Sequence, residues 1–543
     1  MSFMKRFFCS CLTVAVILTA CFSAAAQSEG TLDVSFNTTG VRYEDFGGAD
    51  DKAMAVAVQL DGKIVSVGSS EVSGSGIDFA VVRYNSDGTL DSSFGTGGKV
   101  TTAIGPGTSS DIAYSVVIQS DGKIVVAGSA AGISGTETDF AIVRYNANGT
   151  LDTSFGGTGK VTTPFGVATS ADVANSVALQ ADGNIVPAGY ADDGSGADFA
   201  IARYNTNGSL DASFDTDGKT TTAIGAGTLG DFAQAVAIQS DGKIVAAGWT
   251  EAASGLSIDF ALARYNTNGS LDATFDGDGK VITTVGSSTT FDLANAVLVQ
   301  ADGKIVAGGF SDSLSSGADF ALVRYNTNGS LDTSFDTDGI VITAIGPGTY
   351  FDIAKAIVLQ PDGKIIAAGY TDDLLVGFPS TDLALARYNV DGSLDTSFNA
   401  DGKATIDLGG TEIINGAAIY AGNRIVVAGS SASNFLTARI WIATLVTAAP
   451  VTVSGRITDE RGRALKGVSV TLTDQDGVSS VASTNGFGYY RFTRVESGGT
   501  HFLHATDRGY TFAPPVRIVD TKSDVSDADF VGTKQKGKPN STR

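Results

Sequence analysis

A period of about sixty residues constrains this chain more than any other feature. The turn Asp-Gly-Lys begins at Asp61, Asp121, Asp241, Asp302 and Asp362, with Asp-Gly-Asn at Asp182, so successive copies lie 60, 61, 59, 61 and 60 residues apart. A degenerate seventh copy, Gly422-Asn423-Arg424, follows 60 residues later. Arg-Tyr-Asn recurs at Arg83, Arg144, Arg203, Arg264, Arg324 and Arg387 and degenerates at Arg439. Leu-Asp-x-x-Phe begins at Leu32, Leu90, Leu151, Leu210, Leu271, Leu331 and Leu394. Such a chain stacks one supersecondary unit on the next, and a domain count from its length does not apply.

Each unit reads as four short strands. In the second unit these fall at 113–119, 123–129, 139–146 and 159–165. Asp-Gly and Asn-Gly tolerate positive φ and suit the reversals between them. Nothing in the unit has helical period or helical caps. The array opens with a spare fourth strand, at Leu32 to Tyr43, and its last unit stops after a third strand, at Arg439 to Ile442. Joined, these ends complete a seventh unit and remove the exposed sheet edges. The expected fold is therefore all-β. A seven-bladed β-propeller of ~60-residue repeats spans 31–446, with its seam between 31–47 and 413–446.

These motifs resemble the delta-60 repeat family of bacterial surface and secreted proteins over about residues 30–446. The resemblance implies a propeller-like fold and no established activity. A short linker, 447–450, leads to a different pattern. Gly455, Gly467-Val468, the run from Thr484 through Asn485, Gly488 and Tyr490 to Phe492, and Gly498 resemble a carboxypeptidase regulatory-like (transthyretin-like) domain over 451–532. Asn485 stands where that family usually has Asp. The resemblance implies a small accessory β-sandwich and not the catalytic part of a peptidase. Residues 533–543 read as a polar, disordered tail.

Composition narrows the functions. The chain has 543 residues, Lys+Arg 36 against Asp+Glu 58, and a formal charge of -22. Residues 450–543 carry 13 Lys+Arg and 10 Asp+Glu, so the acidity lies in the array. That excludes a basic nucleic-acid footprint. Lys5 and Arg6 followed by an apolar run to Ala20, then Ala24-Ala25-Ala26, read as a signal peptide over 1–26. Leu18-Thr19-Ala20-Cys21 also reads as a lipobox, which would instead anchor the chain through a lipid on Cys21. The protein is expected to be secreted or at the cell surface, a monomer, with no transmembrane segment in the mature chain. All three cysteines (Cys9, Cys11, Cys21) lie in the leader, so the mature chain would have no disulfide and no thiol nucleophile.

Few residues offer chemistry. The array holds no histidine; His501 and His504 sit three apart in a C-terminal strand and face opposite ways. Asp51, Asp111, Asp172, Asp231, Asp292, Asp352 and Glu412 precede the first strand of each unit. Strict repetition favours a structural role, capping a turn or bonding the next blade, over a catalytic one. A glycosidase would need two carboxylates in unlike environments. Asp336 and Asp338 lie in an oxygen-rich loop that echoes, incompletely, a calcium loop. The arginine of Arg-Tyr-Asn needs a buried partner, and the Asp of Leu-Asp, such as Asp91, supplies one.

In such a meander the 2–3 and 4–1 connections share one face. The 2–3 loops (70–77, 191–197 and 371–381) differ in length and content, while the 1–2 and 3–4 loops repeat. Variable loops on a rigid ring are where recognition sits. Tyr190, Trp249, Phe310 and Tyr370 stand on that face in four consecutive units. They could stack on sugars, or they could pack blade on blade. The expected function is an exported, non-enzymatic binding or adhesion protein for carbohydrate, a surface glycan or protein, or cell-envelope material. Calcium is the one cofactor to test. A structural matrix protein without a discrete site is the alternative, and an Asp-dependent hydrolase or lyase a more remote one.

Overall fold

The computed structural model describes residues 28–534, except 49, 133–136, 167–170, 193, 195, 226–229, 253–254, 256, 287–290, 314–316, 347–350, 373–380, 444–450, 475–478, 496–498, 508 and 522. Every regular element among the described residues is a strand. The leader with Cys21, the linker and the end of the tail lie outside the described residues. Among the described residues no helix is long and apolar enough to cross a membrane.

Among the described residues the array forms seven four-stranded antiparallel units, with parallel bridges such as Ile258 to Phe291 between neighbours. The second unit shows the pattern, with strands Ile112–Ile118, Ile124–Ala131, Thr138–Tyr145 and Lys160–Thr163. The fourth strand stops two residues short of the expected 165. The Phe165 amide is drawn out of the ladder to the Asp172 carboxylate at 2.7 Å. First strands neighbour first strands around the array, and the last, Glu412–Tyr420, lies against the first, Asp51–Val58. The ring is closed.

The closing strand is the expected one. Val41–Glu44 pairs antiparallel with Asn434–Trp441, Val41 opposite Ala438 and Glu44 opposite Phe435. It stands in the seventh unit where Lys99–Thr102 stands in the first.

The apolar core lies between units. Val65, Val67 and Val81 of the first pack with Val126, Ala141 and Val143 of the second, and each later junction repeats this. Second strands are therefore buried on both faces and read as continuous apolar runs instead of alternating ones. Every first strand carries a β-bulge one turn of the pleat from its start, as at Ala113/Ser115. The bulge presses the Ile112 carbonyl onto Gly128, where an added Cβ would lie 1.9 Å from that oxygen. That contact explains the glycine inside strand two in every unit.

The sequence motifs meet in one network. Arg83 Nε donates to Asp91 Oδ2 at 2.8 Å, Lys63 lies 2.9 Å from the same oxygen, and the guanidinium sits 4.6 Å over Phe94. Arg-Tyr-Asn, Leu-Asp-x-x-Phe and Asp-Gly-Lys thus build one buried ion cluster, as the partner rule required. The arginine also crosses the junction. Arg144 Nη1 donates to the Thr206 carbonyl and Arg324 Nη1 to the Val390 carbonyl, both at 2.5 Å. The tyrosine reaches the other way, Tyr145 Oη donating to Thr102 Oγ1 of the preceding unit at 2.8 Å.

The C-terminal domain is a sandwich of two four-stranded sheets. One holds Val451–Asp459, Tyr489–Val495, Tyr510–Ala513 and Phe530–Lys534; the other holds Ser469–Thr473, Ser479–Ser483, Thr500–Thr506 and Arg517–Asp520. Val453, Ile457 and Phe530 pack against Val470, Leu472 and Leu503 across them. The last strand runs to Lys534, past the expected boundary at 532, because Thr533 and Lys534 pair with Thr511 and Tyr510. His501 is buried and His504 exposed, on opposite faces as expected.

Candidate ligand-binding face

Strand geometry places the four aromatic candidates at equivalent points. Tyr190 stands opposite Val173, Trp249 opposite Phe232, Phe310 opposite Leu293 and Tyr370 opposite Ile353, each beside the start of an innermost strand. All four are half-buried. Two of them belong to one aromatic run. The Tyr190 ring meets the Phe232 ring edge-on at 4.8 Å, and Phe232 stacks on Trp249 at 4.1 Å with planes 25° apart. Burial raises the Tyr190 hydroxyl above its ordinary pKa, with Tyr114 and Asp172 adding to it.

Tyr190, Phe232 and Trp249 form a half-buried aromatic run across the third and fourth units, with Tyr114 of the second unit near enough to act on the Tyr190 hydroxyl. Sequence reasoning named Tyr190 and Trp249 and missed Phe232 and Tyr114. Tyr190 reaches Phe232 across a blade junction, so it joins two blades while staying half-buried. Phe310 and Tyr370 continue the same row.

Tyr114 occupies the inserted position of a bulge. Its counterparts in the other units are Met54, Asn175, Gln234, Asn295, Lys355 and Asn415, all half-buried on the innermost strands. This position varies from unit to unit, as does the one two residues before it, which holds Lys52, Ile112, Val173, Phe232, Leu293, Ile353 and Ile413. Asn175, Asn295 and Asn415 each donate 2.8 Å bonds to the carbonyl of the next innermost strand, at Ala233, Ala354 and Ala53. Burial lowers the Lys355 ammonium below its usual pKa. A signal existed: a mostly polar residue that changes between units within an otherwise apolar strand.

The repeated carboxylates are buried. Asp51, Asp111, Asp172, Asp231, Asp292 and Asp352 accept amide N–H bonds of 2.6 to 2.8 Å from Phe46, Ile104, Phe165, Ile224, Val285 and Ile345. Each holds the turn leading into its own strand, which is the structural role repetition favoured. A second carboxylate faces several of them across the junction. Burial, then Asp352 and Asp312, push Asp319 up to about 6.

Asp336 and Asp338 are both exposed. The Asp338 carboxylate accepts the Ile340 amide at 2.9 Å, and the Asp336 amide donates to the Asp391 carbonyl of the next unit at 2.8 Å. Among the described residues the group of carboxylates close enough to share an ion lies elsewhere, at Asp382, Asp407 and Glu412.

Residues 59–94, 119–155, 180–214, 239–275, 300–335 and 360–398 match the family model described as a domain of unknown function (DUF5122) beta-propeller. Residues 452–531 match the carboxypeptidase regulatory-like domain. The chain carries a β-propeller repeat domain followed by a carboxypeptidase regulatory-like domain. The six matched repeats of the propeller are those with intact motifs; the seventh unit, built from Glu412 to Trp441 and the N-terminal strand, carries the degenerate ones. No curated protein matches the sequence.

Solved structures resemble the propeller chain at low identity. PorZ, a surface component of the type-IX secretion system of Porphyromonas gingivalis, matches at 13% identity and TM-score 0.35 over 87% of this chain, which spans 59% of that one. The GH93 alpha-L-arabinofuranosidase of Fusarium graminearum matches at 7% identity and TM-score 0.39, over 60% of this chain and 92% of its own. Sqt1 from Chaetomium thermophilum matches at 13% identity and TM-score 0.34, over 74% of this chain and 100% of its own. At these scores they carry no argument about what the propeller binds.

Proposed function

We propose that this protein is an exported, non-enzymatic binding or adhesion protein that uses the 2–3 face of its propeller, with carbohydrate or cell-envelope material as ligand. The observation that supports this most is the half-buried run Tyr190–Phe232–Trp249, edge-on at 4.8 Å and then stacked at 4.1 Å. Flat aromatic surface with a hydroxyl at its rim suits the apolar face of a sugar ring. The repeated carboxylates give a catalytic reading little support, because turn amides already occupy them. The C-terminal sandwich serves as spacer or second module.

The experiment uses the two tryptophans. Trp441 is buried at 7% exposure and Trp249 half-buried, so a ligand on the face changes the emission of Trp249. The full chain is titrated with polysaccharides, short glycans and peptidoglycan fragments while emission and melting are followed. A saturable change that Trp249→Ala removes supports the reading. Flat titrations across the panel would overturn it.

A further inference from the structure

One blade junction departs from the others in three ways at once. In the turns after the fourth strands, five units place Ala103, Pro164, Ala223, Thr284 and Ala344, while the sixth places Asp407 and the seventh Asp45, which Lys99 still covers. The carboxylate that begins the following strand is Asp at every other junction and Glu412 here. A lysine on the fourth strand of the following unit covers most of these turns. Lys160 Nζ donates to the Ala103 carbonyl at 2.9 Å, Lys219 Nζ to Pro164 at 2.7 Å and Lys403 Nζ to Ala344 at 3.2 Å. In the seventh unit that fourth strand is the N-terminal segment, and Val41 holds the lysine's place, opposite Ala438 as Lys99 is opposite Val82.

The junction therefore gains a carboxylate and lacks the ammonium. One oxygen from each of Asp382, Asp407 and Glu412 lies within 4.8 Å of the others. Asp382 begins to project from strand Thr381–Tyr388, Asp407 from the turn, and Glu412 from the first residue of its strand. Glu412 is 0% exposed. Its Oε1 accepts the Ser431 hydroxyl at 3.1 Å, and its buried Oε2 has no hydrogen-bond partner. A buried carboxylate oxygen without a partner is costly unless something positive meets it. Burial raises the Glu412 pKa, and Asp382 and Asp407 add to the rise against the Ser431 hydroxyl and Leu408 amide.

We propose that Asp382, Asp407 and Glu412 bind a hard divalent cation of the calcium class, which fastens the sixth unit to the seventh beside the closing strand. The donors are all oxygens, from a strand, a turn and a neighbouring strand, and so permit the high and irregular coordination of Ca²⁺ more readily than a small rigid octahedron. Neither nitrogen nor sulfur is offered, which disfavours transition metals. Asp382 and Asp407 belong to one unit and Glu412 to the next, so the ion would bridge the junction. Ser431, which bonds Glu412, also interacts with Tyr43 of the N-terminal strand, which ties the site to ring closure.

The test is calorimetry and thermal melting of the full chain, stripped with chelator and titrated with CaCl₂, beside MgCl₂ at matched ionic strength. One saturable calcium site and a rise in the propeller melting temperature are expected. Asp407 is exposed, so Asp407→Asn folds, and it is expected to weaken calcium at least tenfold. Asp336→Asn with Asp338→Asn, in the other acidic loop, leaves the affinity unchanged. Two results would overturn the site: no heat and no melting shift up to about 10 mM, beyond the weakest extracellular calcium modules, or a shift that survives both Asp407→Asn and Glu412→Gln.

Discussion

Arg439 Nη1 donates to the Ser86 carbonyl at 2.5 Å, joining the seventh unit to the first across 353 residues of chain. The same guanidinium donates through Nε to Asp33 Oδ2 at 2.7 Å, and Arg424 Nε lies 2.8 Å from that oxygen. Asp33 is 0% exposed and belongs to the N-terminal segment. One carboxylate from the start of the array therefore neutralises two arginines from its end. In the first, fourth, fifth and sixth units the same place is filled by Asp with one arginine and the Asp-Gly-Lys lysine, as in Asp332 with Arg324 and Lys304.

Asp33→Ala leaves both arginines buried without their shared partner. Breaking a buried ion pair from one side costs about 3–5 kcal/mol. Urea unfolding followed by Trp441 emission should show a loss of that size. A loss below about 0.5 kcal/mol, the range of ordinary surface changes, would mean the cluster contributes little.

Removing residues 28–47 uncovers the Asn434–Trp441 strand along its whole pairing edge. An unpaired edge templates pairing with another chain. Size-exclusion chromatography is expected to show dimers or larger species for the truncated chain. A stable monomer with an unchanged melting temperature would show that closure does not rest on this strand.

The acidic groups give two opposed pH effects. Burial alone would raise Asp272, but the Thr274 hydroxyl and amide, with Arg264 and Lys243, outweigh it and hold the carboxyl at about 2. A depressed folded pKa stabilises above the unfolded value of 3.8, and this contribution is lost as pH falls from there towards 2. Asp319 runs the other way: its folded value near 6 lies above the unfolded 3.8, so its ionisation weakens the fold as pH rises between them. Asp319→Asn should therefore melt higher than the parent at pH 7 and level with it near pH 4. Equal melting at both values would remove Asp319 from the account.

Gly416 sits at the seam, where an added Cβ would come 2.8 Å from the Ala55 backbone. Gly416→Ala should cost about 1–3 kcal/mol, the usual range for overpacking. Gly74→Ala, in open space at φ 92°, serves as the comparison and should cost only its backbone strain. Equal losses would show that the seam yields.

Much of the fold was legible because a repeat states its own boundaries. The three motifs located the strands to within a few residues, and the unmatched ends at Leu32–Tyr43 and Arg439–Ile442 implied ring closure. The Arg83–Asp91 pair followed from the cost of burying a charge alone. The sandwich followed from a separate set of glycines and aromatics near Gly455 and Tyr490.

The candidate sites were less legible, for a physical reason. Equivalent positions in a repeat look alike in sequence, but each side chain meets a partner about sixty residues away, on another unit. The bulge that frees Tyr114 and Lys355 from the ladder adds a residue without breaking the apolar pattern. Phe232 reads as an ordinary strand residue until its ring lies on Trp249. Asp382, Asp407 and Glu412 are spread over 31 residues and come together only across a junction. The sequence by itself determined the unit, its strands and its ion clusters, because those depend on local pattern and charge. The tertiary structure alone decided which unlike residues meet, because blade packing sets contacts that no single period contains.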